Sequence, residues 1–265
     1  MHVKLKEEAI DYRDGDAELA GLLVWDGNAL AHPGVLVVHG GAGLDDHARG
    51  RARQFAELGL LVFACDLYGK TVIGDRERVL TCLRELAADR DKISRRVQAG
   101  VDVLLSHPLG NGQVAAIGYC FGGRAVLELA RTGAELAGAI SVHGSLESAR
   151  PARKGDVKAK VLVCHGAADP HVPTAQLTGF MQEMNAAGTD YQLIVYGGAM
   201  HGFTHDVGPQ APGVAYHLAS DEGSFLAIKA FLAEVFGMKL MTPRVRSSSS
   251  STASSAARGD GRSSR

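Results

Sequence analysis

The sequence predicts a doubly wound α/β fold on three observations. Short aliphatic runs recur along the chain, and amphipathic helical patterns lie between them. Glycine is abundant, 33 of 265 residues, much of it directly after the apolar runs. The runs are Val35–Val38, Leu60–Ala64, Val114–Ile117, Ala139–Val142, Val161–Val163 and Gln192–Val195. They are rich in aliphatic residues with little polar alternation, as in strands buried on both faces of a parallel sheet. Strand alternating with helix means crossover connections, and those wind a sheet on both sides.

The elements follow in order. Val3–Ile10 and Glu18–Trp25 flank Asp14-Gly15, a hairpin turn signal, which predicts an antiparallel hairpin at the sheet edge and about eight strands in all. Ala48–Leu58 reads as a helix before the Leu60 run. Gly74–Ala88 also reads as helical, studded with Arg76, Arg78, Arg84 and, just beyond it, Arg90, and is either a cap over the site face or a solvated surface helix. Ile93, Val97, Val101 and Leu104 share one face of the next helix, and Ala125, Val126, Leu129 and Ala130 do so after the Val114 run. Ala175–Ala187 and Ser224–Phe236 complete the helices.

Length and composition bound the rest. One domain over residues 1–241 fits the length. Residues 242–265 hold nine Ser, five Arg and no aromatic residue, so a disordered tail is expected there; its Arg258-Gly259-Asp260 tripeptide reads as chance. The chain's net charge is −1, and with +4 in the tail the body is at −5, no footprint for nucleic acid or an anionic membrane surface. The N-terminus lacks the apolar core of a signal peptide, and no run reaches membrane-spanning length. Four cysteines without metal-ligand spacing read as free thiols in a reducing cytoplasm.

The chemistry concentrates at Gly118-Tyr119-Cys120-Phe121-Gly122, where an apolar strand runs straight into a helix. This is the pattern of a nucleophile elbow with Cys in place of Ser. The sharp turn demands small neighbours two residues either side, which Gly118 and Gly122 supply. It also puts Cys120 at a helix N-terminus, which favours a thiolate, and aims the Phe121 N–H at a developing oxyanion. Taken alone, Cys120 would be a small buried hydrophobe; the context argues otherwise. Cys65, Cys82 and Cys164 lack that context and read as structural.

An acid and a base follow in the order the elbow requires. Asp169 lies on the loop after the Val161 run, 49 residues past Cys120, and His201 lies 32 residues further on, in a Gly-flanked loop. His39, His143 and His165 also precede a Gly near a strand end, but only His201 follows both nucleophile and acid. Asp66 is the rival acid, better suited to tying loops together. The Gly-rich loop His39-Gly40-Gly41-Ala42-Gly43 supplies a second oxyanion donor, Gly41 first and Gly40 next. No phosphate-binding glycine motif is present, which argues against nucleotide binding.

The segments HGGAGLDDHARGRARQFAELGLLVFACDLYGK, AAIGYCFGG, HGAADPHVP and YGGAMHGFTH together resemble the dienelactone hydrolase family (carboxymethylenebutenolidase-like proteins) of the α/β-hydrolase superfamily, from about residue 15 to 238. The resemblance implies Cys120 as nucleophile, His201 as base, Asp169 as its carboxylate, Phe121 and Gly41 as oxyanion donors, and no metal or organic cofactor. His39, Tyr68, Phe203 and His205 are the expected substrate contacts. Two positions depart from the family pattern. Gly40 stands where a Glu contacts the thiol, and His205, neutral or partly charged near pH 7, stands where an Arg four residues after the base holds a substrate carboxylate. The expected function is hydrolysis of a small ester or lactone through a thioester. The alternatives are a thioesterase or other acyl-transfer enzyme on the same site, or a non-catalytic binding protein on this fold.

Overall fold

A computed structural model describes residues 4–28, 30–72, 74–206 and 211–239. The tail expected over 242–265 lies outside them. Eight strands form one sheet: β1 Lys6–Asp14, β2 Ala17–Trp25, β3 His32–Val38, β4 Leu61–Cys65, β5 Gly110–Tyr119, β6 Gly138–Val142, β7 Lys160–Gly166 and β8 Tyr191–Tyr196. Their order is β1-β2-β4-β3-β5-β6-β7-β8. The β1–β2 and β2–β4 pairs are antiparallel and every other pair is parallel. The hairpin is where the sequence predicts it, with a shifted turn. Asp14 pairs Ala17, so Gly15 and Asp16 make the bend, and Gly15 takes the positive φ of 59° that a tight turn needs. The first strand consequently runs on to Asp14.

The helices are α1 Asp46–Ala56, α2 Arg76–Ala88, α3 Arg90–Ser106, α4 Phe121–Ala130, α5 Thr174–Ala187 and α6 Leu218–Val235. Asp89 separates α2 from α3, and its side chain accepts the Lys92 N–H at 2.9 Å to cap the second of them.

Period-two alternation divides the core. On β3, Leu36 and Val38 face the layer of α2, α3, α4 and α5, while Val35 and Val37 face α1 and α6. β5 and β7 split likewise, which is why their sequences read as unbroken apolar runs. Crossovers on both faces bring the C-terminal ends of β3 to β8 to one edge, where loops carry side chains free of sheet pairing. Among the described residues, no helix is long and apolar enough to cross a membrane.

Candidate active site

The turn from β5 into α4 is sharp. Cys120 is the N-cap of α4 with φ 53° and ψ −115°, a conformation that an L-residue holds only where its surroundings enforce it. The glycines permit it. A Cβ on Gly118 would overlap Gly122 O, and one on Gly122 would overlap Val38 O and sit 2.6 Å from His39 O. The small neighbours are therefore a steric demand of the elbow and of β3 beside it.

Cys120 Sγ lies 3.1 Å from His201 Nε2, and His201 Nδ1 lies 2.9 Å from Asp169 Oδ2. Asp169 Oδ1 accepts the N–H groups of His171 at 2.8 Å and Val172 at 3.1 Å, which fixes the carboxylate plane. Each group perturbs the next. Burial works to raise the Cys120 pKa, but hydrogen bonding and charge from His201, with the Gly41 and Phe121 N–H groups directed at the sulfur, hold it below the ordinary thiol value. Burial works to lower His201, and its bonds to Asp169 and Cys120 outweigh that, carrying it up to about 10. Burial also opposes the ionised Asp169, yet His201 and the His171 N–H keep its pKa low. A thiolate–imidazolium–carboxylate row meets all three directions.

The Gly41 N–H is aimed from behind. The Leu67 N–H donates to His39 Nε2 at 3.0 Å, so the ring proton sits on Nδ1 and donates to Gly40 O at 2.7 Å. Gly40 C=O and Gly41 N–H belong to one trans peptide, so pinning the oxygen points the N–H the opposite way. Tyr68 adds a bond from its hydroxyl to Gly41 O at 3.0 Å. Above this loop, α2 brings Leu83 within 3.7 Å of where a Gly41 Cβ would stand, while Arg76, Arg78 and Arg84 are exposed, Arg78 donating to Thr71 O at 2.9 Å. Both readings of that helix are thus realised on its two faces.

Some expected contacts are placed differently. His39 and Phe203 have no exposed surface to offer a ligand, and both nitrogens of His39 are committed to backbone. Only 6 % of Tyr68 is exposed, and its hydroxyl serves the Gly41 loop. His205 does reach the site. Its Nε2 lies 3.9 Å from where a Cβ on Gly40 would stand, and that Cβ would lie 3.5 Å from Cys120 Cβ. A side chain at position 40 would therefore adjoin the nucleophile, and His205 stands across from it. Its ring stacks on His47 at 3.7 Å, and burial, helped by Arg51 and His201, pushes its pKa below the usual histidine value. That direction favours the neutral ring and agrees with the expectation of a neutral or only partly charged His205.

The other rivals are accounted for. Asp66 is buried and accepts the N–H groups of Tyr68 and Gly69, tying its own loop. His165 is 2 % exposed and makes no bond to the row. Cys65 and Cys164 are fully buried, and burial pushes the Cys164 thiol up to about 12. His143 touches the backbone of Cys120, and Thr204, His47 and Arg51 lie behind it. Of these only His143 stands out in sequence, as one more His-Gly at a strand end. Among the described residues, no group of three or more His, Cys, Asp or Glu is arranged to hold a metal ion.

Comparison with known proteins gives the family of the chain. Over 158 residues the chain is 34% identical to "Uncharacterized protein K02A2.1" of Caenorhabditis elegans, spanning 57% of this chain and 99% of that one. Among solved structures, a dienelactone hydrolase-like promiscuous phosphotriesterase from metagenomic libraries matches at TM-score 0.81 and 36% identity, over 87% of this chain and 98% of the other. A chain named m3DLH matches at TM-score 0.81 and 37% identity, with the same coverage. The model of the dienelactone hydrolase family matches residues 19–236. That span holds the elbow, both loops opposite it and the sheet from within β2 through β8, and the chain belongs to the dienelactone hydrolase family.

Proposed function

We propose that the protein hydrolyses a small ester or lactone by covalent catalysis, with Cys120 as nucleophile, His201 as acid and base, and Asp169 as the carboxylate that orients and charges His201. The observation that carries this reading is convergence at one sulfur. His201 Nε2 is 3.1 Å from it, and the N–H groups of Gly41 and Phe121 point at it.

The Cys120 thiolate attacks the substrate carbonyl, and the new oxyanion takes up the Gly41 and Phe121 N–H bonds. Collapse expels the alkoxide, which takes the proton from His201 Nε2 and leaves a thioester on Cys120. Neutral His201 then deprotonates a water that attacks the thioester, and the thiolate is expelled beside the re-formed imidazolium. The chemistry calls on no group outside the chain. With glycine at position 40, His201 and the α4 terminus supply the ionisation without a neighbouring carboxylate. Thioesters fit the same atoms. So do phosphotriesters, the class named for the metagenomic relative, whose phosphoryl oxygen could occupy the oxyanion position. The intact row speaks against a purely binding role. Four free thiols fit a cytoplasmic setting.

The test is turnover of p-nitrophenyl esters, lactones, a thioester and a phosphotriester by wild type and Cys120→Ala. Loss of turnover in the variant and a trapped acyl adduct of the wild type at Cys120 are expected. Equal turnover by Cys120→Ala would remove the nucleophile.

A further inference from the structure

We propose that His143 is a positioning residue of the nucleophile elbow, accepting the Cys120 backbone N–H as a neutral imidazole whose tautomer is fixed by a one-way chain through Thr204 and His47 to Arg51. The proposal rests on reading Cys120 as the nucleophile.

Among the described residues, Cys120 and His143 are the two non-glycine residues with positive φ, at 53° and 42°. They bond to each other: the Cys120 N–H meets His143 Nδ1 at 3.1 Å and shares its proton with Val142 O at 3.0 Å. A strained elbow is thus held by a second strained residue at the end of the neighbouring strand.

Elementary donor counting sets the direction of the chain. A backbone N–H only donates, so His143 Nδ1 presents its lone pair and the ring proton sits on Nε2. That proton goes to Thr204 Oγ1 at 2.9 Å. The Thr204 hydroxyl then gives its own proton to His47 Nε2 at 3.1 Å. Arg51 Nε, also a donor only, approaches the same nitrogen at 3.4 Å. The run therefore starts and ends on groups that cannot accept, and reversing any link sets two donors face to face. Arg51 is itself held by Thr204 O at 2.9 Å and by an ion pair with Asp221.

All four side chains are buried, His143 and Thr204 completely, so solvent competes little for these bonds. Burial first, then the positive or titratable neighbours His205, His201, His47 and Arg51, keeps His143 from taking a proton. Asp45 near His205 and Asp221 beside Arg51 are the carboxylates facing the group. The His143 ring meets His201 edge-on at 5.4 Å, so a neutral His143 leaves the positive charge to His201.

What the N–H bond fixes is the direction in which Sγ and the Phe121 N–H leave the elbow. Val142 O shares the proton, so losing Nδ1 loosens the elbow without freeing it. Misplacement of a reacting group by a fraction of an ångström to 1 Å costs roughly 10- to 100-fold.

The test compares His143→Asn with His143→Gln. An asparagine oxygen occupies the Nδ1 position and tolerates positive φ; glutamine reaches toward Thr204 but offers no acceptor at Nδ1. Both are assayed for kcat and KM on p-nitrophenyl acetate, and for the pH dependence of Cys120 alkylation by iodoacetamide. The expected result is kcat within about threefold of wild type for Asn and roughly 10- to 100-fold lower for Gln, with KM little changed in both. The acid limb of alkylation should move up in Gln and stay in Asn. Equal losses in both variants, or no loss in Gln, would overturn the proposal. Alkylation needs no turnover, so this arm judges His143 even if Cys120→Ala shows that the nucleophile is wrong. If neither variant folds, Thr204→Val decides: it keeps the ring but breaks the chain, and an unmoved acid limb there overturns the role.

Discussion

Asp169→Asn should disable the proposed base while sparing the fold. An asparagine oxygen can keep the bonds that Oδ1 now accepts from His171 and Val172. The other oxygen, 2.9 Å from His201 Nδ1, becomes an NH2 donor. Nδ1 must then accept, the ring proton moves to Nε2, and the neutral ring offers no lone pair to water or to Cys120. A charge-assisted hydrogen bond contributes about 1.5–3 kcal/mol. At about 1.36 kcal/mol per pH unit, His201 should fall by roughly one to two pH units from about 10. A weaker imidazolium holds the Cys120 thiolate less well, so the acid limb of activity moves up while the basic limb moves down, and the active window narrows from both sides. The wrong tautomer adds its own penalty, about 10⁴ in a serine triad. A thiolate needs less help in the first step than a serine hydroxyl, so kcat/KM should drop by about 10²–10³. The assay is a pH series of kcat/KM on p-nitrophenyl acetate from pH 5 to 10, with melting temperature measured in parallel. A folded Asp169→Asn protein with kcat/KM within about threefold of wild type and unmoved limbs would refute the reasoning.

Iodoacetamide near pH 6, mapped by mass spectrometry, should label Cys120 at least about tenfold faster than Cys65 or Cys164, whose thiols burial pushes up; preferential labelling of either buried thiol would displace Cys120 as the reactive group. Arg131→Met should lower the melting temperature by on the order of 10 °C, because Glu128 and Glu183 lose a buried partner worth about 3–5 kcal/mol; a change under about 2 °C in scanning fluorimetry would show that the pairs are not coupled to folding. His205→Arg should favour a carboxylate-bearing lactone over a neutral ester of equal size by about tenfold in kcat/KM, since a charge-assisted bond replaces a neutral one; parallel changes on both substrates would take position 205 out of substrate recognition.

What the sequence made legible was whatever local sterics and local pattern dictate. Val35 to Val38 show no polar alternation because both faces of β3 are buried, so the strand is visible without knowing its partners. Gly118 and Gly122 announce the elbow because a Cβ on either would overlap backbone within a few residues or on the next strand. The order Cys120, Asp169, His201 is readable because each sits at the end of its own strand, and a parallel sheet delivers strand ends to one edge. The hairpin turn slipped by one residue because Asp14-Gly15 and Gly15-Asp16 are both good turn pairs, and cross-strand pairing over nine residues decides between them.

Long-range pairing is what the sequence hides. Thr204 meets His47 across 157 residues and His143 across 61, and no local pattern ties these positions together. His47 lies in the first turn of α1, where a polar residue normally meets solvent, yet it is 6 % exposed because the loop after His201 folds over it. His39 illustrates the converse. A histidine in a Gly-rich loop beside the nucleophile reads as a ligand contact, and only the Leu67 N–H behind it shows that its task is to turn the Gly40–Gly41 peptide. Position 40 combines the two cases. The sequence shows that a carboxylate is missing there, but the consequence depends on what stands opposite. That is His205, stacked on His47 with burial lowering its pKa, so no carboxylate stands there, and His201 with the Gly41 and Phe121 N–H groups is what lowers the Cys120 pKa.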